Sequence, residues 1–238
     1  GLEFLSNKLW TFNDSGNPNA IHRIDTASNT VYQTVTISNA TNTDWEDMTS
    51  SNDYLFIGDF GNNNGNRQNL KIYRVAKSNL PAGATTATAD VINFSFSDQT
   101  SFPSLPNNNN FDCESMIFYN DSIHLFSKNW VDKQTRHYVL PNAPGTRVAQ
   151  YRETLNAGFL VTSASVQKGG VIALIGYENT GSVPVYLYML YDHKNNFFFS
   201  GNKRKFNVGN MTTWGQVEGV EFFNAAYLFV TNEKYTNG

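Results

Sequence analysis

The chain has 238 residues, of which 40% are hydrophobic and 16% are charged, and its net charge is −3 at pH 7. This length can bury a large single core, and the acidic balance excludes the basic field that nucleic acids and anionic membranes attract. The single cysteine, Cys113, excludes an internal disulfide and a site of several cysteines. It stands in an apolar-rich strand pattern, which predicts a packed, inert thiol.

Short runs of β-branched and aromatic residues follow one another along the chain, and many of the 32 asparagines stand between them. Such runs favour strands, whereas Asn, Gly and Ser favour turns. No apolar run reaches the length of about 18 residues that a membrane span needs, so membrane insertion is not expected. We therefore predict one all-β domain over residues 1–238.

A hairpin pattern recurs along the chain: an apolar residue, Glu, a small or acidic residue, Met or Val, a turn and a second strand. Three copies begin at Trp45-Glu46-Asp47-Met48, at Cys113-Glu114-Ser115-Met116 and at Val217-Glu218-Gly219-Val220. Two weaker copies fit the same pattern. Ser163 takes the place of Glu in one of them, and Gly1-Leu2-Glu3-Phe4 begins the other.

Third-strand runs follow the hairpins, as in Ile21-His22-Arg23-Ile24 and Ile72-Tyr73-Arg74-Val75. Fourth runs follow in the complete units, and that of the fourth unit is predicted over residues 198–208. Units of about 50 residues with four antiparallel strands are typical of β-propeller blades. We predict a five-bladed β-propeller, with six blades or a β-sandwich as alternatives. The last blade has two strands within the sequence, so we expect other polypeptide or a partner chain to cover its apolar edge at residues 227–231.

Four motifs stand out in the first part of the chain: Leu9-Trp10-Thr11-Phe12-Asn13-Asp14-Ser15-Gly16, Ile21-His22-Arg23-Ile24-Asp25, Asp44-Trp45-Glu46-Asp47 and Ile57-Gly58-Asp59-Phe60-Gly61-Asn62-Asn63. Together they resemble a family of secreted bacterial propellers, many of which are type IX secretion cargo. The chain is more distantly similar to NHL-type, gluconolactonase-type and phytase-like propellers. The resemblance implies an extracellular or cell-surface protein exported across the bacterial envelope, and it transfers no catalytic residues.

First strands of propeller blades line a central channel, so equivalent positions should form a ring. We expect Glu46, Glu114 and Glu218 to converge near one mouth of that channel, with Ser163 completing the ring. Such oxygen ligands suit Ca²⁺ or Mg²⁺, and one interpretation is therefore a metal site. In the other interpretation, each carboxylate accepts hydrogen bonds from the backbone of the next blade and locks the blades together.

Polar side chains that differ from blade to blade stand near the ends of the second strands, where a ligand site would need such variety. The candidates for a ligand-binding face are Asp14, Asp59, Lys128 and Glu233. The alternative is that strand ends are simply polar. The four histidines lack the spacing of a zinc site, and no nucleophile-elbow motif is present.

The resemblance also implies O-glycosylation at tripeptides of Asp, Ser or Thr and an apolar residue. Thr26 and Ser122 stand in such tripeptides, both in predicted turns. Three functions remain open: a scaffold that binds a protein or glycan, a calcium-dependent hydrolase of phosphoesters or lactones, and a structural subunit of a surface assembly. We prefer the first, which is not an enzyme, because loops on one face of a rigid propeller carry its function.

Overall fold

The computed structural model describes residues 1–5 and 7–233 of the chain, and these residues form an all-β structure with 56% strand and 4% helix. A single α-helix, α1 (Met211–Trp214), lies in this part of the chain. None of its helical segments has the length and apolar character needed to cross a membrane.

The strands of the described residues are, in chain order, β1 (Leu2–Leu5), β2 (Lys8–Phe12), β3 (Ala20–Asp25), β4 (Thr30–Ile37), β5 (Trp45–Ser50), β6 (Tyr54–Asp59), β7 (Lys71–Ala76), β8 (Thr86–Ala87), β9 (Ala89–Phe96), β10 (Asp112–Tyr119), β11 (Ser122–Lys128), β12 (Thr135–Pro141), β13 (Gly145–Leu155), β14 (Leu160–Val166), β15 (Ile172–Tyr177), β16 (Pro184–Tyr191), β17 (Asn202–Asn210), β18 (Gln216–Phe222) and β19 (Leu228–Glu233).

These strands form sheets that divide into five antiparallel units, and the short β8 pairs in parallel with β4 at the edge of the first unit. Four units have four strands each, namely β1 to β4, β5 to β7 with β9, β10 to β13, and β14 to β17. The fifth unit is the hairpin of β18 and β19 within the described residues. The outer strands β9 and β13 pair in parallel, which joins the second and third units into one sheet of eight strands.

The first strands of the five units contact one another in a closed circuit. β1 contacts β5, β5 contacts β10, β10 contacts β14, β14 contacts β18, and β18 returns to β1. Strands near this circuit are buried on both faces, as in β15, whose six residues are all buried. The outer strand β17 is largely exposed, and its Lys203, Arg204 and Lys205 discourage pairing with another chain at this edge.

The apolar core is divided into clusters between successive units. Trp45 lies in the cluster between the first and second units, and Cys113 is buried in the cluster between the second and third. The packed thiol predicted from the sequence is therefore present. Aromatic contacts also join the first unit to the last. The ring centroid of Phe4 lies 5.4 Å from that of Phe223 and 6.2 Å from that of Phe229.

Two boundaries differ from the prediction. The fourth strand of the fourth unit begins at Asn202 and not at Phe198, because residues Phe198–Ser200 form a 3₁₀ turn that buries Phe198 and Phe199. Ser122 begins β11 and does not lie in a turn. Asn120 and Asp121 have φ values of 46° and 61°, as a two-residue hairpin turn requires, so the strand resumes at once.

The last unit has two strands in the described structure, so β19 is its outer edge. Within residues 1–5 and 7–233, β19 pairs only with β18, and Tyr227 just before it is 68% exposed. A covering chain for this edge stays a prediction.

Candidate functional site: an acidic mouth

Four first strands have a β-bulge at the same position. The pairing of β5, β10, β14 and β18 with their second strands skips one residue each, and these residues are Glu46, Glu114, Thr162 and Glu218. A bulge residue leaves the regular ladder, and its side chain can be aimed away from the sheet. The three glutamates line one cavity of about 420 Å³, which we call the acidic mouth.

The expectation that Ser163 completes this ring is wrong by one residue. Ser163 pairs with Ile175 just after the bulge, as Asp47 pairs with Gly58, so Ser163 is equivalent to Asp47. Thr162 is the bulge residue instead, and its hydroxyl donates to the carbonyl of Val217 at 2.7 Å. Because Thr162 stands in place of Glu, this register could not be recognised from the repeat pattern.

Two of the four residues just after the bulges, Asp47 and Ser163, lock units together. The Asp47 carboxylate accepts hydrogen bonds from the backbone N–H groups of Met116 at 3.0 Å and Ala164 at 3.4 Å, in two other units. Ser163 donates to Asp47 at 3.3 Å and accepts from the N–H of Val220 at 3.1 Å. Burial raises the pKa of Asp47 to about 7, against these hydrogen bonds.

The locking role considered for the glutamates therefore belongs to Asp47 and Ser163. Among the described residues, Glu46, Glu114 and Glu218 accept no hydrogen bond from the backbone of another unit: Glu114 bonds Lys128, and Glu218 bonds Gln216. The glutamates remain directed to the mouth, where a ligand could meet them.

Three carboxylates converge beside this mouth. Asp14, Asp44 and Glu46 each bring an oxygen atom within 4.8 Å of the others. Asp14 follows β2 and Asp44 precedes β5, so the group joins the first two units. Gly61 lies against Asp44 and Glu46 so closely that any side chain there would collide with both carboxylates.

Burial and repulsion by neighbouring carboxylates make Asp44 and Glu46 hard to ionise. Burial is the main cause that raises the pKa of Asp44 to about 6, and the negative charge of the nearby Asp14 is the second cause. Burial and then the carboxylate of Glu114 raise the pKa of Glu46 well above its usual range. A positive charge placed among these oxygens would relieve both effects.

Lys128 and Glu114 form a buried ion pair at the floor of the mouth. The Lys128 Nζ lies 2.6 Å from Glu114 Oε1, and the two side chains are 3% and 4% exposed. The ammonium also faces the rings of Trp130 and Tyr177, with Nζ 4.7 and 5.4 Å from their centroids. Glu114 Oε2 is buried and has no hydrogen-bond partner among the described residues.

The structure separates the four candidates for a ligand-binding face. Asp14 and Lys128 line the acidic mouth, and Glu233 lines an adjoining cavity of about 270 Å³ that also contains Asp14, Glu46 and Glu218. Asp59 lines neither of these two cavities. Its buried carboxylate lies 2.7 Å from Arg67 Nη2 and accepts from the N–H of Asp44, so it fixes the loop of residues 61–69.

A second acidic group, at another cavity of about 390 Å³, was not predicted. Glu3 accepts from the Ser50 hydroxyl and Glu221 from the Ser165 hydroxyl, both at 2.6 Å. Burial raises the pKa of Glu3 to about 7 and that of Glu221 well above its usual range. This pair could have been predicted from the sequence, because the aligned segments Gly1-Leu2-Glu3-Phe4 and Gly219-Val220-Glu221-Phe222 have Glu at the same position.

Three of the four histidines also meet, although their spacing gave no sign of it. His124 Nδ1 lies 2.8 Å from His137 Nε2, and His137 Nδ1 lies 3.2 Å from Glu153 Oε1. The ring of Phe198 packs against His124, His137 and His193. Burial lowers the pKa of His124 to about 3 and also lowers that of His137, so His124 and His137 form a neutral, hydrogen-bonded pair in the core.

The two candidates for glycosylation differ in accessibility. Thr26 is exposed in the turn between β3 and β4. Ser122 is half-buried and pairs with Tyr119 and Pro141 in the sheet. Thr26 is therefore the more accessible of the two hydroxyls.

Comparison with protein-family models and with curated proteins gives no match to this sequence. What the mouth can do follows from its chemistry. Its carboxylates accept hydrogen bonds or bind cations, its asparagines donate and accept, and Trp130 adds an aromatic surface.

Proposed function

We propose that the five units are the five blades of a β-propeller. The closed circuit of first strands supports this arrangement, as do the apolar clusters between successive units. The common bulge position also supports it, since equivalent positions of radially repeated blades come together at one end of a channel. The acidic mouth is then one opening of that channel.

The protein itself is a binding scaffold for a glycan, outside the cell or on its surface. The observation that carries this function is the pair of adjoining cavities, of about 420 and 270 Å³, that share Asp14, Glu46 and Glu218. They are concave and rich in carboxylate and amide groups, which suit a polyhydroxylated ligand. A protein partner would call for a larger surface with an apolar centre.

Two loops complete the rim of the acidic mouth. Residues 61–69 supply Asn63 and Asn64, and residues 98–110 supply Pro106 and Asn107. The loops bind each other, because the N–H of Leu105 donates to Asn64 O at 2.8 Å and that of Asn107 to Asn63 O at 2.9 Å. A rim fixed before binding loses little entropy when a ligand arrives.

A hydrolase has less support from the same cavities. Of the described residues that line them, Lys128 is the one basic side chain, and Glu114 already pairs with it. No histidine lines either cavity in the described part of the chain. The location outside the cell follows from the resemblance to secreted propellers and is part of the proposal.

The test is a screen of immobilised glycans with the purified protein, followed by titration calorimetry on any glycan that binds. Asn64→Ala with Asn107→Gly removes two rim amides, and Gly tolerates the positive φ of 51° at position 107. We expect this double variant to lose binding. The matched control is Asn52→Ala, an exposed asparagine at the cavity of Glu3.

The control should bind as the unmodified protein does. A screen without any bound glycan would refute the proposed function. Equal losses in the double variant and in Asn52→Ala would refute the assignment of binding to the acidic mouth.

A further inference from the structure

We propose that the acidic mouth holds a divalent cation, Ca²⁺, bound by Asp14, Asp44 and Glu46 with Glu114 Oε2 as an additional ligand. The inference shares with the proposed function only its location, the acidic mouth. It goes further by assigning a cation to a particular group of side chains there.

The spacing of the three carboxylates fits a single ion. Their oxygens lie within 4.8 Å of one another. Ca²⁺ binds oxygen at about 2.3–2.6 Å, so two ligand atoms on opposite sides of one ion are at most about 5 Å apart. The three side chains can therefore share one Ca²⁺ with little rearrangement.

Glu114 gives a second and independent indication. Its side chain is 4% exposed, and its Oε2 has neither solvent nor a hydrogen-bond donor among the described residues. The residue lines the same cavity as Asp14 and Glu46. A buried carboxylate oxygen without any partner is costly, and a cation in the cavity would remove that cost.

The protein's own cations are engaged elsewhere. Lys128 pairs with Glu114 Oε1, and Arg67 pairs with Asp59. No ion pair to Asp14, Asp44 or Glu46 occurs among the described side chains. Several carboxylates from different loops and strands suit Ca²⁺, which accepts varied oxygen geometries, better than Mg²⁺, which demands near-ideal octahedral geometry and retains its water.

The other acidic group of the molecule provides the contrast. Glu3 and Glu221 are also buried carboxylates with raised pKa values, yet each accepts a hydrogen bond from a serine hydroxyl. Their negative charge is met by protein donors or by protonation, so no cation is needed there. The two acidic groups thus supply a matched pair for an experiment.

The experiment measures binding of Ca²⁺ alone by titration calorimetry at pH 7.5, and of Tb³⁺ by luminescence. Trp45 lines the cavity that adjoins Glu46 and can sensitise bound Tb³⁺. We expect a Kd for Ca²⁺ of about 10⁻⁵ to 10⁻³ M, the range of sensor and extracellular sites. Magnesium should bind more weakly and should not displace Tb³⁺ at equal concentration.

Glu46→Gln and Asp14→Asn should each weaken Ca²⁺ binding by about tenfold or more, since each removes a charged ligand. Glu3→Gln, the same chemical change at the other acidic group, should leave the affinity within about twofold of the unmodified value. Thermal unfolding in EDTA establishes that each variant is folded. Asp14 is half-buried in a loop, so its variant keeps the test decisive if Glu46→Gln fails to fold.

Three results would overturn the cation site: no calorimetric or luminescent signal at millimolar Ca²⁺ or Tb³⁺, equal weakening by Glu3→Gln and Glu46→Gln, or equal affinities for Mg²⁺ and Ca²⁺. Glycan binding measured in EDTA separates this inference from the proposed function. A protein that binds glycan but no Ca²⁺ refutes the cation site alone, whereas one that binds Ca²⁺ but no glycan refutes the glycan scaffold alone.

Discussion

At the scale of single residues, the position of a carboxylate relative to N–H groups decides what it does. Asp47 and Glu46 are neighbours in β5, but Asp47 faces donors from three first strands whereas Glu46 faces other carboxylates. The first arrangement satisfies a buried charge and ties units together. The second leaves charge to be met by a ligand, and the bulge is what sends the two side chains to different layers.

Replacement of Asp47 by alanine tests the locking role. Asp47→Ala leaves the buried N–H groups of Met116 and Ala164 without their side-chain acceptor. We expect the free energy of unfolding, measured with urea, to fall by about 3–5 kcal/mol, because each unsatisfied donor costs about 1–3 kcal/mol. Asp53→Ala, at an exposed position in the next turn, should change it by less than about 0.5 kcal/mol.

A loss below about 1 kcal/mol in Asp47→Ala would contradict the lock, since it would mean that water or another acceptor replaces the carboxylate. Hydrogen exchange at Met116 and Ala164 would locate the effect, because both amides should lose protection in the variant.

At the scale of elements, the rim loop of residues 61–69 depends on one ion pair. Arg67 Nη2 lies 2.7 Å from Asp59 Oδ1, and its Nη1 donates to Gly61 O at 2.6 Å. Asp59 is the last residue of β6 and is fully buried. The guanidinium therefore joins the end of a strand to the loop that carries Asn63 and Asn64.

A double-mutant cycle measures this link. Arg67→Ala should cost about 3 kcal/mol of unfolding free energy, because the Asp59 carboxylate stays buried without its cation. Asp59→Ala together with Arg67→Ala should cost less than the sum of the single changes, since neither charge remains. Additive costs would show that the pair is not coupled. Glycan binding should weaken in Arg67→Ala because the rim amides lose their fixed position.

Sequence patterns predicted the elements better than the contacts between them. The hairpins were predictable because alternating apolar residues and turn residues are local signals. β5 begins where the repeat indicated, and β10 and β18 begin one residue earlier, at Asp112 and Gln216. The register of β14 was not predictable, since a bulge adds one residue without changing the apolar pattern. The group of Asp14, Asp44 and Glu46 joins two units, and the histidine group joins two strands, so neither leaves a spacing along the chain.

At the scale of the whole molecule, the units depend on one another around a closed circuit, and their acidic groups respond to pH together. Burial raises the pKa of Glu3 and of Glu218 from 4.5 to about 7, and of Asp47 from 3.8 to about 7. In this interval the folded protein binds more protons than the unfolded chain does. The contribution of these carboxyl groups to the free energy of unfolding must then decrease as the pH rises from about 4.5 to about 7.

The histidine group has the opposite sign. His124 has a folded-state pKa of about 3 against 6.5 in the unfolded chain, so its contribution to stability is lost as the pH falls from 6.5 toward 3. Together the two effects predict a stability maximum at mildly acidic pH. The check is the Tm in EDTA from pH 4 to 8, where we expect a higher Tm near pH 5 than near pH 8.

Glu3→Gln should flatten the decline above pH 5, because it removes one of the groups that bind a proton on folding. A Tm that rises steadily from pH 5 to pH 8 in EDTA would be the wrong sign for these carboxylates. Addition of Ca²⁺ should raise the Tm more at pH 8 than at pH 5, because protons and cations compete for the same oxygens.

The shared bulges also make the molecule a framework for protein engineering. Glu46 and Glu218 stand outside the ladder and line the acidic mouth, so a combinatorial library limited to these two codons would change the charge and shape of the mouth and leave the strand pairing in place. Selection from such a library could give receptors for cationic, neutral or anionic small molecules on one backbone. The residues found in the natural sequence are then one of many combinations that a display library can sample.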